Sequence, residues 1–152
     1  MKQAAMIVIA TVCGTIGVVR VDASEALKAV VASYLEIHAQ LTADKIDQVE
    51  APARVLASRA AEMGAVGEPI AKAANALAEA ADLKAARDAF AALSDAVIAA
   101  GNAEDWKDVG EVKLAYCPMA KRSWLQKDQA QIRNPYYGSQ MLTCGEFKPT
   151  AK

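Results

Sequence analysis

The spacing of apolar residues predicts that the chain is helical from about residue 24 to residue 100. Between Ser24 and Leu41 the apolar positions recur at steps of three and four, so they lie on one face of an α-helix. This face consists of Leu27, Val30, Val31, Tyr34, Leu35, His38 and Leu41. Because serine is a favourable N-cap residue, we expect helix one to run from about Ser24 to about Leu41.

A second helix is predicted after a short turn at residues 42–44. Its apolar positions again alternate steps of three and four, as in a helix of a bundle. They are Ile46, Val49, Ala53, Leu56, Ala60 and Met63. Pro52 falls inside this pattern and removes one helical hydrogen bond. Helix two is therefore either kinked at Pro52 or begins there, and the sequence leaves both alternatives open.

Two further helices are predicted before residue 100. Residues 64–69 form a loop that ends in Pro69, which suits the first turn of helix three. Asp82 can cap helix four, whose apolar positions start at Leu83 and end at Val97. Four alanine-rich helices joined by short loops favour an antiparallel up-and-down bundle. The predicted fold class is therefore all-α, a four-helix bundle.

The composition changes after Gly101, where most of the aromatic residues occur. They are Trp106, Tyr116, Trp124, Tyr136, Tyr137 and Phe147. A bundle with an alanine-rich core buries little apolar area, so we expect this segment, about residues 112–147, to pack over the bundle. Residues 112–116 are compatible with an extended strand, and the region 105–110 is predicted to be a loop. The chain from residue 24 to residue 152 is interpreted as one domain.

The first 23 residues have the features of a secretory signal peptide. Lys2 precedes an apolar run that ends before Arg20, and Ala23 is a suitable residue for cleavage. An uncleaved membrane anchor is the alternative, but the apolar run is shorter than the roughly 20 residues that a spanning helix needs. We therefore predict an exported, periplasmic protein with no membrane segment after cleavage.

Charge and cysteine content narrow the function classes further. Cleavage would remove Lys2, Arg20 and Asp22 from 17 basic and 18 acidic residues, so the mature net charge is 15 − 17 = −2. Such a chain lacks the basic surface that nucleic acid requires. Cleavage would also remove Cys13 and leave Cys117 and Cys144. An even pair of cysteines in an exported protein ordinarily forms a disulfide.

The candidate ligand-binding residues lie in two short sulfur-containing stretches of the C-terminal segment, here called the two arms. In the first arm, Pro118 favours an extended backbone, so Cys117 and Met119 can point to the same side. In the second arm, a helical turn after residues 134–135 would place Met141 and Cys144 three residues apart on one face. Thiolate and thioether ligands select soft ions such as Cu(I). The two arms therefore predict a soft-metal site.

Two other residues are candidates for that site. His38 is the single histidine of the chain, and imidazole is a good copper ligand. A lone histidine on an apolar helix face also fits a core residue that is hydrogen-bonded to backbone or water. Trp124 lies between the two arms, where its indole could either shield a cation or fill the core. Catalytic motifs are absent, and the chain is predicted not to be an enzyme.

The residues also resemble a known family. The resemblance covers residues 34–38, the alanine-rich helices, the motif at 116–119 and the motif at 134–138 with Met141 and Cys144. The family consists of exported bacterial proteins of undefined function, which occur alone or fused to periplasmic adaptor subunits of copper and silver efflux pumps. The Cys-Pro-Met triplet also looks like the core of short heavy-metal-binding modules, although Ala120 replaces their usual histidine.

The resemblance implies soft-metal handling in the periplasm, with a periplasmic efflux adaptor as a candidate partner. The matching positions are Cys117, Met119, Met141, Cys144 and His38. The first functional hypothesis is a Cu(I)-binding chaperone or buffer near a heavy-metal efflux system. The alternative is a non-catalytic interaction module, stapled by a Cys117–Cys144 disulfide, that docks on an efflux or envelope partner.

Overall fold

The computed structural model describes residues 23–104, 106 and 109–149, in which four α-helices precede three short β-strands. The elements are α1 (Ala23–Thr42), α2 (Glu50–Ala61), α3 (Glu68–Ala78), α4 (Leu83–Ala103), β1 (Val112–Cys117), β2 (Arg122–Lys127) and β3 (Glu146–Lys148). The predicted signal peptide lies outside the described residues except for Ala23, whose backbone begins α1.

The four predicted helices are present, and their apolar faces form the core. In α1, the side chains of Leu27, Val30, Val31, Tyr34 and Leu41 are all buried. The helix begins one residue before Ser24, so Ser24 lies inside the first turn and is not its N-cap. The predicted cap of α4 is confirmed, because the Asp82 carboxylate accepts a hydrogen bond of 2.8 Å from the N–H of Ala85.

The structure also resolves the alternatives for Pro52. A 3₁₀ turn at Ile46–Gln48 precedes α2, which begins at Glu50. Pro52 is therefore in the first turn of the helix, where a backbone N–H has no intrahelical acceptor and its loss costs little. Helix two begins two residues before the proline.

The prediction of an all-α four-helix bundle is wrong, because the C-terminal segment forms a three-stranded antiparallel sheet. The strand order is β2-β1-β3. Strand β1 contains the residues predicted to be extended, and it pairs with β2 through Leu114 opposite Leu125. Lys121 adopts a positive φ of 52° in the connecting turn. Because β1 lies between β2 and β3, its residues 114–116 have strand partners on both sides, which a lone extended segment would lack.

The sheet packs on the helices through an aromatic cluster. The ring of Tyr34 on α1 stacks on Phe90 of α4, with centroids 4.8 Å apart. Tyr136 lies 6.1 Å from Phe90 and meets Trp124 of β2 edge-on at 5.8 Å. The Tyr34 hydroxyl accepts a hydrogen bond of 3.2 Å from the Leu125 N–H. The helices and the outer edge of β2 are thus joined by both aromatic contacts and a hydrogen bond.

We predict that Tyr34→Phe lowers the free energy of unfolding by about 2 kcal/mol. The substitution keeps the ring but leaves the Leu125 N–H without its acceptor, and a buried donor without a partner costs about 1–3 kcal/mol. It also removes the 2.6 Å contact between the Tyr34 hydroxyl and Ser94. Urea unfolding measures the loss. Tyr137→Phe is the matched control, with an expected change within about 0.5 kcal/mol, and equal losses in both variants would contradict the assignment.

Candidate functional site

Cys117 and Cys144 come together at one end of the sheet. Cys117 is the last residue of β1, and the pairing of β1 with β3 ends at Tyr116 opposite Glu146. The residues just before β3 therefore lie beside the end of β1. Both cysteines are free thiols, and their sulfur atoms are 3.0 Å apart. Of the five predicted ligands, these two are in direct contact.

Hydrogen-bond donors surround the sulfur of Cys117. Burial raises the pKa of this thiol, but hydrogen bonds from the Cys144 thiol, the backbone N–H groups of Ala120 and Met119, and Asn134 outweigh burial and hold the pKa below its ordinary value. The Ala120 N–H lies 3.4 Å from the sulfur. The hydrogen bond to Cys117, together with partial burial, raises the pKa of Cys144. The pair therefore favours a thiolate at Cys117 and a thiol at Cys144.

Asn134 organises the second cysteine, a role that the sequence did not reveal. Its side chain is fully buried, and its amide nitrogen donates a 2.8 Å hydrogen bond to the carbonyl of Cys144. Its side-chain oxygen accepts from the backbone N–H groups of Tyr136 and Tyr137, as expected of a capping residue. Capping alone explained the asparagine in the sequence, so only the fold shows its contact with the cysteine turn.

The two predicted methionine ligands lie on turns next to the thiol pair. Met119 follows Cys117 in the turn between β1 and β2, and its side chain is 63% exposed. Met141 is half-buried, and its carbonyl accepts a 3.0 Å hydrogen bond from the N–H of Cys144. A 3₁₀ turn precedes Met141 and ends at Gln140. The predicted i, i+3 relation between Met141 and Cys144 is thus that of a tight turn.

His38 lies in a separate environment, facing a small cavity of about 200 Å³. Its side chain is buried, and Nε2 donates a 2.8 Å hydrogen bond to the carbonyl of Arg133. The cavity is also lined by Thr42, Lys127 and Gln129. Burial, together with the smaller effect of the Arg133 charge, lowers the pKa of His38 to about 4, although the hydrogen bond to the Arg133 carbonyl opposes both effects. The imidazole is therefore neutral at pH 7.

No metal-binding group of three or more His, Cys, Asp or Glu residues occurs in the described part of the chain. The soft-metal site at Cys117, Met119, Met141, Cys144 and His38 stays a prediction. The structure does not join His38 to Cys117 and Cys144 as one such group. His38 is separate from the cysteines because its imidazole donates a hydrogen bond to the Arg133 carbonyl. The next residue, Asn134, donates instead to the carbonyl of Cys144.

Trp124 forms part of the core beneath the cysteine turn. Its side chain is fully buried, and its indole N–H donates a 3.2 Å hydrogen bond to Gln126. Gly145 follows Cys144 with a φ of 141°, and a Cβ atom there would lie 2.9 Å from the Trp124 ring. The glycine therefore allows both the backbone conformation and the close approach to the indole. These contacts favour the core role of Trp124.

Comparison with known proteins adds no relative from which a function could be transferred. No family model, curated protein or solved structure matches the chain significantly. Within the described residues, no helix combines the length and the apolar character needed to cross a membrane.

Proposed function

We propose that the mature chain is a non-catalytic, soft-metal-binding protein of the periplasm, and that the dithiol of Cys117 and Cys144 binds Cu(I) or a related soft ion as cargo. The observation that supports this proposal is the 3.0 Å contact between two free thiols at the end of a sheet. Strand β1 holds Cys117, and the hydrogen bond from Asn134 positions the turn that carries Cys144.

The chemistry of the donors favours a soft ion over a hard one. Thiolates and thioethers bind Cu(I), whereas Ca²⁺ and Mg²⁺ require several oxygen ligands. The described residues provide no carboxylate cluster for such an ion. The thiolate is the form that binds metal, and the N–H groups that point at Cys117 stabilise it. This site therefore suits a monovalent soft cation of low coordination number.

The contact distance is compatible with a shared ion after a small opening. Metal–sulfur bonds are about 2.3 Å long at zinc sites, so two sulfurs on one ion lie at most about 4.6 Å apart. The pair must therefore separate by no more than about 1.6 Å from its present 3.0 Å. Cys117 is held in a strand, so we infer that the turn carrying Cys144 makes this movement. Met119 and Met141 are the nearest candidates for additional thioether ligands in the sequence.

Localisation and partnership follow from the sequence features. The predicted signal peptide directs the chain to the periplasm, where Cu(I) export systems receive their cargo. The resemblance to proteins fused to efflux adaptors suggests an adaptor subunit as the physiological partner. The proposed role is a Cu(I) chaperone or buffer that exchanges its ion with such a partner.

Competition for Cu(I) against a chromophoric chelator under anaerobic conditions tests the proposal. We expect the reduced mature chain to bind one Cu(I), and the Cys117→Ser, Cys144→Ser double variant to bind at least about 100-fold more weakly, because loss of supporting residues alone costs 10–100-fold at metal sites. Met119→Leu and Met141→Leu remove the thioethers while keeping the volume. Equal affinity of the wild type and the double variant would refute the function, provided that the circular dichroism of both is helical.

A further inference from the structure

The two sulfur atoms differ in access to solvent. Cys117 is 0% exposed, whereas Cys144 lies on a turn and is partly exposed. Ala120 folds back over Cys117 and donates its N–H to the sulfur at 3.4 Å. Of the two residues, Cys144 is therefore the one that is accessible to a reagent from solution.

We propose that the pair performs thiol–disulfide exchange with a disulfide of another molecule, with Cys144 as the exchanging sulfur and Cys117 as the resolving sulfur. The external reactant is a low-molecular-weight disulfide or an oxidised dithiol protein. The contact geometry carries this inference, since the resolving sulfur already lies 3.0 Å from the sulfur that it must attack. A protein disulfide bond is about 2.05 Å long, so closure requires a movement of about 1 Å.

The exchange consists of two displacements. The Cys144 sulfur first attacks one sulfur of the external disulfide, while its proton passes to the Cys117 sulfur 3.0 Å away. The external S–S bond breaks and releases one thiolate, which takes up that proton. The Cys117 thiolate then attacks the sulfur of Cys144, the mixed disulfide breaks, and the second thiolate leaves. The external disulfide gains two electrons, and the two protons of the cysteine thiols end on the two released thiolates.

Exchange at these sulfurs also affects metal binding, and this consequence rests on the proposed metal-binding function. A disulfide leaves neither sulfur as a thiolate, so the oxidised pair cannot bind Cu(I), and bound Cu(I) in turn occupies both sulfurs. Metal loading and oxidation are therefore mutually exclusive. In the metal-free state, the bridge would join the end of β1 to the segment that leads into β3. This bridge is the disulfide staple that the cysteine content predicts, but here it forms reversibly.

Glutathione disulfide is the probe, and alkylation followed by intact mass measurement is the readout. In the metal-free mature chain, we expect full conversion to the intramolecular disulfide without bound glutathione. Cys117→Ser should accumulate a glutathione adduct on Cys144, whereas Cys144→Ser should react at least 10-fold more slowly on Cys117. In urea, both variants should react at similar rates, because the protection of Cys117 comes from the fold.

Specific outcomes would overturn the inference. If the wild type forms no intramolecular disulfide, the exchange activity is refuted. If both folded single variants react equally, or if Cys117 reacts faster, the roles of the two sulfurs are refuted. Acid trapping of the wild-type mixed disulfide and peptide mapping locate the adduct even where a single variant fails to fold.

A second experiment separates this inference from the metal-binding proposal. Cu(I) preloaded under anaerobic conditions should slow the oxidation of the wild type at least 10-fold. A chain that binds no Cu(I) in the chelator competition but still forms the bridge supports exchange and refutes metal binding. A chain that binds Cu(I) but is oxidised at an unchanged rate refutes the mutual exclusion.

Discussion

Gly138→Ala is expected to lower the free energy of unfolding by about 3 kcal/mol, by combining backbone strain with a steric clash. Gly138 has a φ of 52°, where an alanine costs about 1–2 kcal/mol. A Cβ atom there would also collide with the paired side chains of Asp44 and Arg87. Thermal and urea unfolding of the variant measure the combined loss.

The clash is costly because backbone groups from several segments hold both side chains of the ion pair in place. Asp44 accepts a hydrogen bond of 3.1 Å from the N–H of Ser139, and Arg87 donates to the carbonyl of Pro135 at 3.0 Å. Arg87 also contacts the carbonyl of Leu41 at 3.4 Å. The pair thus connects the turn after α1, helix α4 and the loop that precedes Cys144. Displacing it would loosen the loop on which the candidate site depends.

Gly64→Ala is the matched control for this prediction. Gly64 has a similar φ of 62°, but a Cβ atom there would meet nothing within 4 Å. We therefore expect a loss of about 1 kcal/mol from backbone strain alone. In an Asp44→Gly background, which removes the nearest clashing atoms, the cost of Gly138→Ala should fall toward the Gly64→Ala value. Equal losses for the two alanine variants in the wild-type background would show that the clash has no energetic consequence.

The helices could be predicted from the sequence because their information is local. The apolar positions of α1 repeat with the helical period, and Asp82 carries its own capping oxygen. Strand β1 was predicted as an extended segment for a similar reason. Neither the identity of a strand's partner nor the position of the sheet on the helices follows from local spacing.

Strand β2 could not be predicted because its buried positions do not alternate. Trp124, Leu125 and Gln126 are consecutive and all buried. Gln126 is tolerated in the core because its side chain bonds to the Gln131 carbonyl and the Arg133 N–H, which a later loop supplies. Strand β3 has only three residues, two of them charged. Its strand character comes from pairing with β1 and not from its own composition.

In the candidate site, too, the locally determined part could be predicted and the part that depends on distant residues could not. Convergence of the two cysteine arms was predicted from local backbone preferences at Pro118 and at the turn before Cys144, and the fold places their sulfurs 3.0 Å apart. The environment of His38 was not predictable, because the helical face leaves a ligand role and a core role equally compatible with the spacing. The carbonyl that accepts its hydrogen bond belongs to Arg133, a residue distant in the sequence.

The second large effect concerns the pH dependence of stability, which we expect His38 to dominate between pH 6.5 and 4. Burial lowers the pKa of His38 from 6.5 to about 4 in the folded chain, so only the unfolded chain binds the proton within this window. The contribution of the neutral imidazole is fully present above pH 6.5 and is lost as the pH falls toward 4. A shift of this size corresponds to about 3 kcal/mol.

Urea unfolding of the wild type and of His38→Gln, at several pH values from 7 to 4, measures this contribution. Glutamine does not titrate, and its amide can donate to the Arg133 carbonyl in place of Nε2. We expect the wild type to lose about 3 kcal/mol more than the variant across the window. Parallel pH profiles would show that the buried imidazole does not control the acid sensitivity.

The same variant separates the core role of His38 from a ligand role. His38 is bonded to the backbone of Arg133 and belongs to no metal-binding group in the described residues, so we expect His38→Gln to leave Cu(I) affinity at pH 7 within about threefold of the wild type. Loss of a supported ligand would instead weaken binding by about 10-fold or more. A loss of that size, with the fold intact, would show that the turn at Asn134 rearranges on metal binding and brings the imidazole to the thiol pair.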